Sequence, residues 1–210
     1  MTNLLLMADD EDADLGDFFR LCAKKVKEHA SSLEQCECKI FPSNKLRTNI
    51  MLHYCIDTFD SQSFVCGAFM HGNETSLFCG EQDIVTEEDA LKFKNSIVYF
   101  CACHTGRKLL KTLVETGGAL AAIGYKDAFH VQKFFNMQPV FSDCATALFK
   151  YFFKNSRLSE AVKMMKEDYT NAIDSIYKKD PLAASFLLVN RDSIVFYGTG
   201  NLDLNNVFCQ

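Results

Sequence analysis

Short apolar runs alternate along this chain with segments in which apolar residues recur every three or four positions. The runs are typical of buried strands, and the three-to-four spacing is typical of amphipathic helices. The predicted strands are Leu4–Met7, Cys36–Phe41, Phe64–Met70, Ile97–Cys101 and Ala119–Tyr125. The predicted helices run from the caps Asp12 and Asp14 to about His29, then over Arg107–Glu115, Asp143–Phe153 and Ser159–Tyr177. This alternation predicts an α/β fold with a mostly parallel sheet covered by helices on both faces.

Other segments are less regular. Residues 44–54 fit either a helix capped by Asn44 or a strand, and residues 186–197 fit either a tight hairpin or a helix end that leads into a sixth strand. Ser76–Gly80 predicts a hairpin arm, Glu87–Phe93 a brief helix, and Lys126–Pro139 a loop on the substrate side of the sheet.

Composition narrows the class of protein. The chain has 210 residues, a size that predicts one domain over residues 1–210. The formal net charge is −5, so we expect no nucleic-acid partner and no attraction to anionic lipid. No apolar run reaches the roughly 20 residues of a membrane span, and the first residues lack the basic start of a secretory signal. With ten cysteines placed largely in apolar segments, a reducing, cytoplasmic location is expected.

Two predicted strands end in residues that suit nucleophilic catalysis. The strand from Ile97 ends at a sharp turn that contains Cys103, and the strand from Phe64 runs into His71 and Gly72. A thiol reacts as its thiolate, so it needs a base such as histidine nearby. The backbone N–H of a glycine can approach a substrate carbonyl and stabilise an oxyanion.

These residues resemble the caspase-like cysteine peptidases, the group of caspases, metacaspases, separases and small bacterial CHAT proteases. His71-Gly72 is similar to the catalytic His-Gly of that group. The stretch from Ala102 to Gly106, Ala-Cys-His-Thr-Gly, is similar to the nucleophile motifs of metacaspases and CHAT domains. The segments 117–125 and 188–198 resemble the next strand and the usual CHAT ending. The resemblance implies a three-layer caspase-like sandwich with about six central strands.

The resemblance also implies roles for the matched positions. Cys103 would attack the scissile carbonyl, His71 would transfer protons, and the backbone N–H groups of Gly72 and Cys103 would form the oxyanion hole. It requires no aspartate to complete a triad and no cofactor. The implied activity is that of a cysteine endopeptidase.

Four residues are candidates for substrate binding. Metacaspases carry an aspartate two residues before the nucleophile that binds a basic P1 side chain; this chain has Cys101 there, which we interpret as pocket wall. Asp9 and Asp10, at the end of the first strand, and Asp127 are acidic candidates for an S1 pocket. The alternative, that these acidic loops only solubilise the surface or cap a helix, stays open.

Other interpretations compete with the peptidase. A catalytically silent caspase-like binding module and a non-proteolytic cysteine hydrolase both remain open. Metal binding is not expected, because Cys36-x-Cys38 and Cys101-x-Cys103-His104 lack the spacing of zinc sites. The resemblance to bacterial defence proteases implies a protein substrate, such as a gasdermin-like pore former or another toxic effector, and a separate activator or sensor protein.

Overall fold

The computed structural model of the chain describes residues 1–46, 48–59, 62–133 and 136–208. Its strands are β1 (Thr2–Ala8), β2 (Cys36–Pro42), β3 (Phe64–Phe69), β4 (His71–Gly72), β5 (Ser76–Cys79), β6 (Gln82–Thr86), β7 (Ser96–Cys101), β8 (Ala121–Tyr125) and β9 (Ile194–Gly198). Its α-helices are α1 (Gly16–Ala30), α2 (Asn49–Asp57), α3 (Leu109–Glu115), α4 (Gln138–Phe152), α5 (Leu158–Ile176), α6 (Pro181–Ser193) and α7 (Leu204–Phe208). Ser43–Lys45 and Glu87–Phe93 form 3₁₀ segments.

The central sheet has six strands in the order β2-β1-β3-β7-β8-β9. All neighbours are parallel except β9, which runs antiparallel to β8. Every residue of β1, β3 and β7 is buried, as expected for parallel strands covered on both faces. The predicted α/β class with a mostly parallel six-stranded sheet is confirmed.

Helices cover both faces of this sheet. One apolar core lies between the sheet and the helices α1, α4, α5 and α6. A second core lies on the opposite face, beneath α2, α3 and the 3₁₀ segment Glu87–Phe93. The protein is therefore a three-layer α/β sandwich. No helix within the described ranges is both long and apolar enough to cross a membrane.

A small antiparallel sheet stands at the carboxyl edge of the large one. It has the order β4-β5-β6, with His71 opposite Phe78 and Gly72 opposite Leu77. The predicted hairpin arm at residues 76–80 is its middle strand. Only Met70 separates β3 of the large sheet from β4 of the small one.

Several predicted boundaries are wrong for identifiable reasons. Helix α4 begins at Gln138 rather than Asp143, because Pro139 is suited to the first turn of a helix. Asn44 lies inside a 3₁₀ segment and does not cap α2, whose N-cap is Thr48. Of the two alternatives for residues 186–197, the helix end is the observed one: α6 leads directly into β9. The predicted loop 126–139 falls partly outside the described residues, at positions 134 and 135.

Candidate active site

Cys103 lies in the turn between β7 and α3, at the carboxyl edge of the central sheet. Two backbone hydrogen bonds fix this turn to the end of β8 and the loop after it. The N–H of His104 donates to the carbonyl of Asp127 at 3.2 Å, and the N–H of Gly106 donates to that of Tyr125 at 2.9 Å. His104 has the left-handed φ of +59°, which reverses the chain directly after the cysteine. The backbone that carries Cys103 is therefore fixed by hydrogen bonds to the end of β8 and to the loop after it.

His71 follows β3 and belongs to the small sheet. Its ring stacks on Phe78 with a centroid distance of 5.8 Å and meets the edge of Phe19 at 5.6 Å. The side chain keeps 33% of its surface exposed, so the ring is held in place but still reaches solvent. This combination suits a proton-transfer group.

The strand register brings the two predicted catalytic residues to the same level of the sheet edge. Phe69 of β3 is paired with Cys101 of the neighbouring strand β7. His71 and Cys103 each lie two residues beyond that pair (71 − 69 = 2 and 103 − 101 = 2), and adjacent strands are about 4.8 Å apart. The histidine and the cysteine therefore follow neighbouring strand ends at the same edge of the sheet.

Gly72 lies directly against the cysteine turn. A Cβ atom at this position would be 2.9 Å from both Ala102 Cβ and Thr105 Cγ2, and 3.2 Å from the carbonyl oxygen of Cys103. Real Cβ atoms do not approach carbon this closely, so the contact requires glycine. The His-Gly and cysteine segments, far apart in sequence, are in van der Waals contact.

The thiol of Cys103 is paired with the main chain of Phe129. The N–H of Phe129 donates to Sγ at 3.3 Å, and the carbonyl of the same residue lies 3.9 Å from Sγ. The next residue, His130, forms two backbone hydrogen bonds with the buried side chain of Asn190. The N–H of His130 donates to Oδ1 of Asn190 at 2.8 Å, and Nδ2 of Asn190 donates to the carbonyl of His130 at 2.7 Å. Asn190 therefore fixes the segment that faces the thiol, a role that no local sequence signal revealed.

Asp12 is the second residue that the sequence did not identify as functional. Its Oδ2 lies 3.1 Å from Nε2 of His71, and its Oδ1 accepts the backbone N–H groups of Asp14 at 3.0 Å and Leu15 at 2.6 Å. Burial raises the pKa of this carboxyl, but the two backbone hydrogen bonds and His71 outweigh that effect and leave the pKa below its usual value. The N-cap of α1 is Leu15 and has no side-chain cap hydrogen bond, so the prediction that Asp12 and Asp14 cap this helix is wrong; Asp12 instead holds the turn before α1 and contacts His71.

Asp9 and Asp10 both have partners within the fold. Asp9 is 3% exposed, and its Oδ1 accepts from Ser43 Oγ at 2.8 Å and from Cys79 Sγ at 3.2 Å. Asp10 accepts the backbone N–H of Ser43 at 2.9 Å. Asp9 and Asp12 also line a cleft of about 460 Å³ between the end of β1 and the small sheet. Asp9 thus lies on the wall of a cleft that extends to Asp12, the residue in contact with His71. Asp10 connects the loop after β1 to the 3₁₀ segment after β2.

The other two substrate-binding candidates lie elsewhere. Cys101 is 1% exposed and packs in the core on the α1 side of the sheet, where burial raises the pKa of its thiol well above the usual range. It lies beneath the site rather than on a solvent-facing wall. Asp127 is on the rim, 3.2 Å from the guanidinium of Arg107, which also contacts Glu74 at 2.8 Å and the carbonyl of Lys126 at 2.7 Å.

Metal chemistry has no support from the described residues. Within them no group of three or more histidine, cysteine, aspartate or glutamate side chains is arranged to hold a metal ion. The eight cysteines whose side chains are described are free thiols. Nδ1 of His104 is buried and has no hydrogen-bond partner among the described residues. The positive φ of His104 accounts for its place in the turn.

No protein-family model matches this chain, and a search of curated proteins found no significant match. The arrangement of Cys103, His71 and their neighbours therefore carries the functional argument alone.

Proposed function

We propose that this chain is a cysteine endopeptidase in which Cys103 is the nucleophile and His71 the proton-transfer residue. The observation that supports it most is the register of β3 and β7, whose last pair is Phe69 and Cys101, so that His71 and Cys103 each follow two residues after neighbouring strand ends on one sheet edge. The contact of Gly72 with the cysteine turn adds a second link between the two segments. A rigid backbone behind the thiol and a partly exposed imidazole beside it are what acyl transfer needs.

In the proposed reaction the thiolate sulfur of Cys103 attacks the carbonyl carbon of the scissile peptide. The negative charge that develops on the carbonyl oxygen is stabilised by backbone N–H groups, for which Gly72 and Cys103 are the candidates. The C–N bond then breaks, and protonated His71 gives its proton to the leaving amine. In the second half, His71 removes a proton from water, the hydroxide attacks the thioester carbon, and the C–S bond breaks. This releases the acid product and restores the Cys103 thiolate beside protonated His71.

The cleft beside Asp12 is the proposed place for a substrate side chain. Its walls include the carboxylates of Asp9, Glu11 and Asp12. A basic side chain entering this cleft would meet negative charge, so lysine or arginine at P1 is the expected preference. Cys101 is buried and uncharged, so it does not contribute to the preference for a basic P1 side chain.

The resemblance stated above motivates the wider part of the proposal. A protein substrate such as a gasdermin-like pore former or another toxic effector, and a separate activator, would place the enzyme in defence. Full peptidase activity of the purified chain alone would contradict the requirement for an activator.

The test compares the wild type with Cys103→Ala on a proteome-derived peptide library. We expect basal cleavage by the wild type, below the level that an activator would give, and loss of that cleavage in the variant. Cys36→Ala is the control because Cys36 is a partly buried thiol on the far edge strand β2. Cleavage retained in Cys103→Ala would contradict the proposal. Turnover of small esters without peptide cleavage would identify a non-proteolytic hydrolase. A peptide ketone probe that labels Cys103 no better than other thiols would identify a binding module.

A further inference from the structure

The carboxylate of Asp12 joins the start of α1 to the proposed proton-transfer residue. Its two oxygens have separate partners: Oδ1 accepts the N–H groups of Asp14 and Leu15, and Oδ2 faces Nε2 of His71 at 3.1 Å. The backbone hydrogen bonds fix the orientation of the carboxylate. The loop therefore holds the Asp12 side chain in the rotamer that points Oδ2 at the imidazole.

The pair is also partly shielded from bulk water. The side chains of His71 and Asp12 are 33% and 21% exposed. Phe78 lies against one face of the imidazole and the ring of Phe19 meets it at an interplanar angle of 89°. Partial desolvation strengthens a charge-assisted hydrogen bond, and the flanking rings restrict rotation of the imidazole.

An ionised carboxylate can only accept hydrogen bonds, so Nε2 of His71 must carry the proton in this contact. In neutral histidine the other nitrogen, Nδ1, is then unprotonated and basic. When Nδ1 takes a proton, the ring becomes a cation that faces the negative charge of Asp12. The same contact thus selects the tautomer and stabilises the charged form.

We propose that Asp12 is a positioning residue for His71: it holds the proton on Nε2, leaves Nδ1 free for the thiol and the leaving amine, and stabilises the imidazolium. This inference rests on the proposed function. It gives the site a third member that the resemblance did not require, since that resemblance implied a cysteine and a histidine alone.

If Asp12 only bound the N–H groups of its own loop, Asp12→Asn would have little effect on His71. Asparagine keeps an oxygen for the N–H groups of Asp14 and Leu15 and is a good residue at helix starts. Its Nδ2 group, however, donates a hydrogen bond where the carboxylate accepted one. Facing such a donor, Nε2 of His71 would lose its proton and Nδ1 would gain it, which removes the base from the side of the thiol.

The first experiment compares the kinetics of Asp12→Asn with those of Asp14→Asn. Asp14 lies in the same loop, is exposed, and pairs with Lys133 instead of His71, so it is a matched control. We expect kcat to fall at least about 100-fold in Asp12→Asn, because the contact acts on proton transfer. Since Asp12 also lines the proposed P1 cleft, the comparison uses a substrate with an uncharged P1 residue, for which KM should change less than about twofold. Asp14→Asn should leave both constants within about twofold. A kcat of Asp12→Asn within about threefold of wild type would overturn the inference. Activity retained in Cys103→Ala would instead overturn the proposed function.

The second experiment needs no activity. The ¹⁵N chemical shifts of the His71 ring, measured at about pH 8 in the Cys103→Ala protein, report which nitrogen is protonated. We expect the proton on Nε2, and its transfer to Nδ1 when Asp12→Asn is added. A proton on Nδ1 with Asp12 present, or the same tautomer in both proteins, would overturn the inference. The measurement on the protein that keeps Asp12 tests the inference even if the Asp12→Asn variant does not fold.

Discussion

At the scale of single residues, the thiols of this chain differ sharply in environment. Burial raises the pKa of Cys38 to about 11 and those of Cys79 and Cys144 to about 12. Cys103 is partly exposed, lies on the sheet edge, and accepts a backbone hydrogen bond from Phe129. Its partial exposure leaves this thiol open to reagents in solution.

We therefore expect iodoacetamide to modify Cys103 before the other described cysteines. At about pH 8 a thiol such as that of Cys38 is only about 0.1% ionised, so it should react slowly. Peptide mass spectrometry over a time course gives the rate for each cysteine. The control is His71→Ala, which should slow the labelling of Cys103 alone. Labelling of Cys38 or Cys79 as fast as Cys103 would contradict this order.

At the scale of elements, the close approach of β4 to the cysteine turn depends on Gly72. A methyl group there would meet Ala102 and Thr105 at 2.9 Å, which forces the small sheet away from the turn. We expect Gly72→Ala to lower the free energy of unfolding by about 1–3 kcal/mol and to reduce kcat. Urea unfolding and peptidase assays measure both.

The control for Gly72→Ala is Gly80→Asn, at the tip of the hairpin. Gly80 has a φ of +58°, which asparagine tolerates, and nothing lies within 4 Å of its would-be Cβ. Its stability should stay close to that of the wild type; activity is not compared in this control, because Gly80 also lines the proposed P1 cleft. Equal losses in the two variants would show that the contact of Gly72 with the turn has no special importance.

The link between the β1–α1 loop and β4 should depend on pH. The pKa of Asp12 is lower in the folded chain than its usual value near 3.9, so its ionised form favours folding. The stabilisation is complete above that usual value and is lost as the pH falls through the folded pKa. The free energy of unfolding of the wild type should exceed that of Asp12→Asn by on the order of 1 kcal/mol above about pH 5. The difference should vanish near about pH 2 in urea titrations. A difference that grows on acidification would contradict the assignment.

The elements that follow from local patterns were predictable from the sequence. Buried apolar runs locate β1, β3 and β7, and the strand ends locate His71 and Cys103. The contacts of Asp12 with His71 and of Asn190 with His130 join residues 59 and 60 positions apart, and no local pattern encodes them. The 3₁₀ geometry of Glu87–Phe93 also escaped prediction, because a capping box like that of Thr86 and Asp89 starts an α-helix equally well.

At the scale of the whole molecule, the burial of the sheet is uneven. The inner strands β1, β3 and β7 are buried at every residue, whereas β9 at one edge is mostly half-exposed. Amides in the inner strands can exchange with solvent only when much of the protein opens.

We expect hydrogen exchange followed by mass spectrometry to find the slowest amides in β3 and β7. Peptides from β9 and from the small sheet should exchange faster, through local opening. The wild type and Cys103→Ala should give the same pattern, since the thiol is only partly buried and packs at the margin of the first core. Exchange in β9 as slow as that in β3 would contradict this ranking.

The short break at Met70 has a mechanical consequence. Cys103, the proposed nucleophile, follows a strand of the large sheet, whereas His71, the proposed base, belongs to the small sheet, and the single buried residue Met70 connects β3 to β4. Their alignment is therefore set by the tilt of the small sheet on the large one.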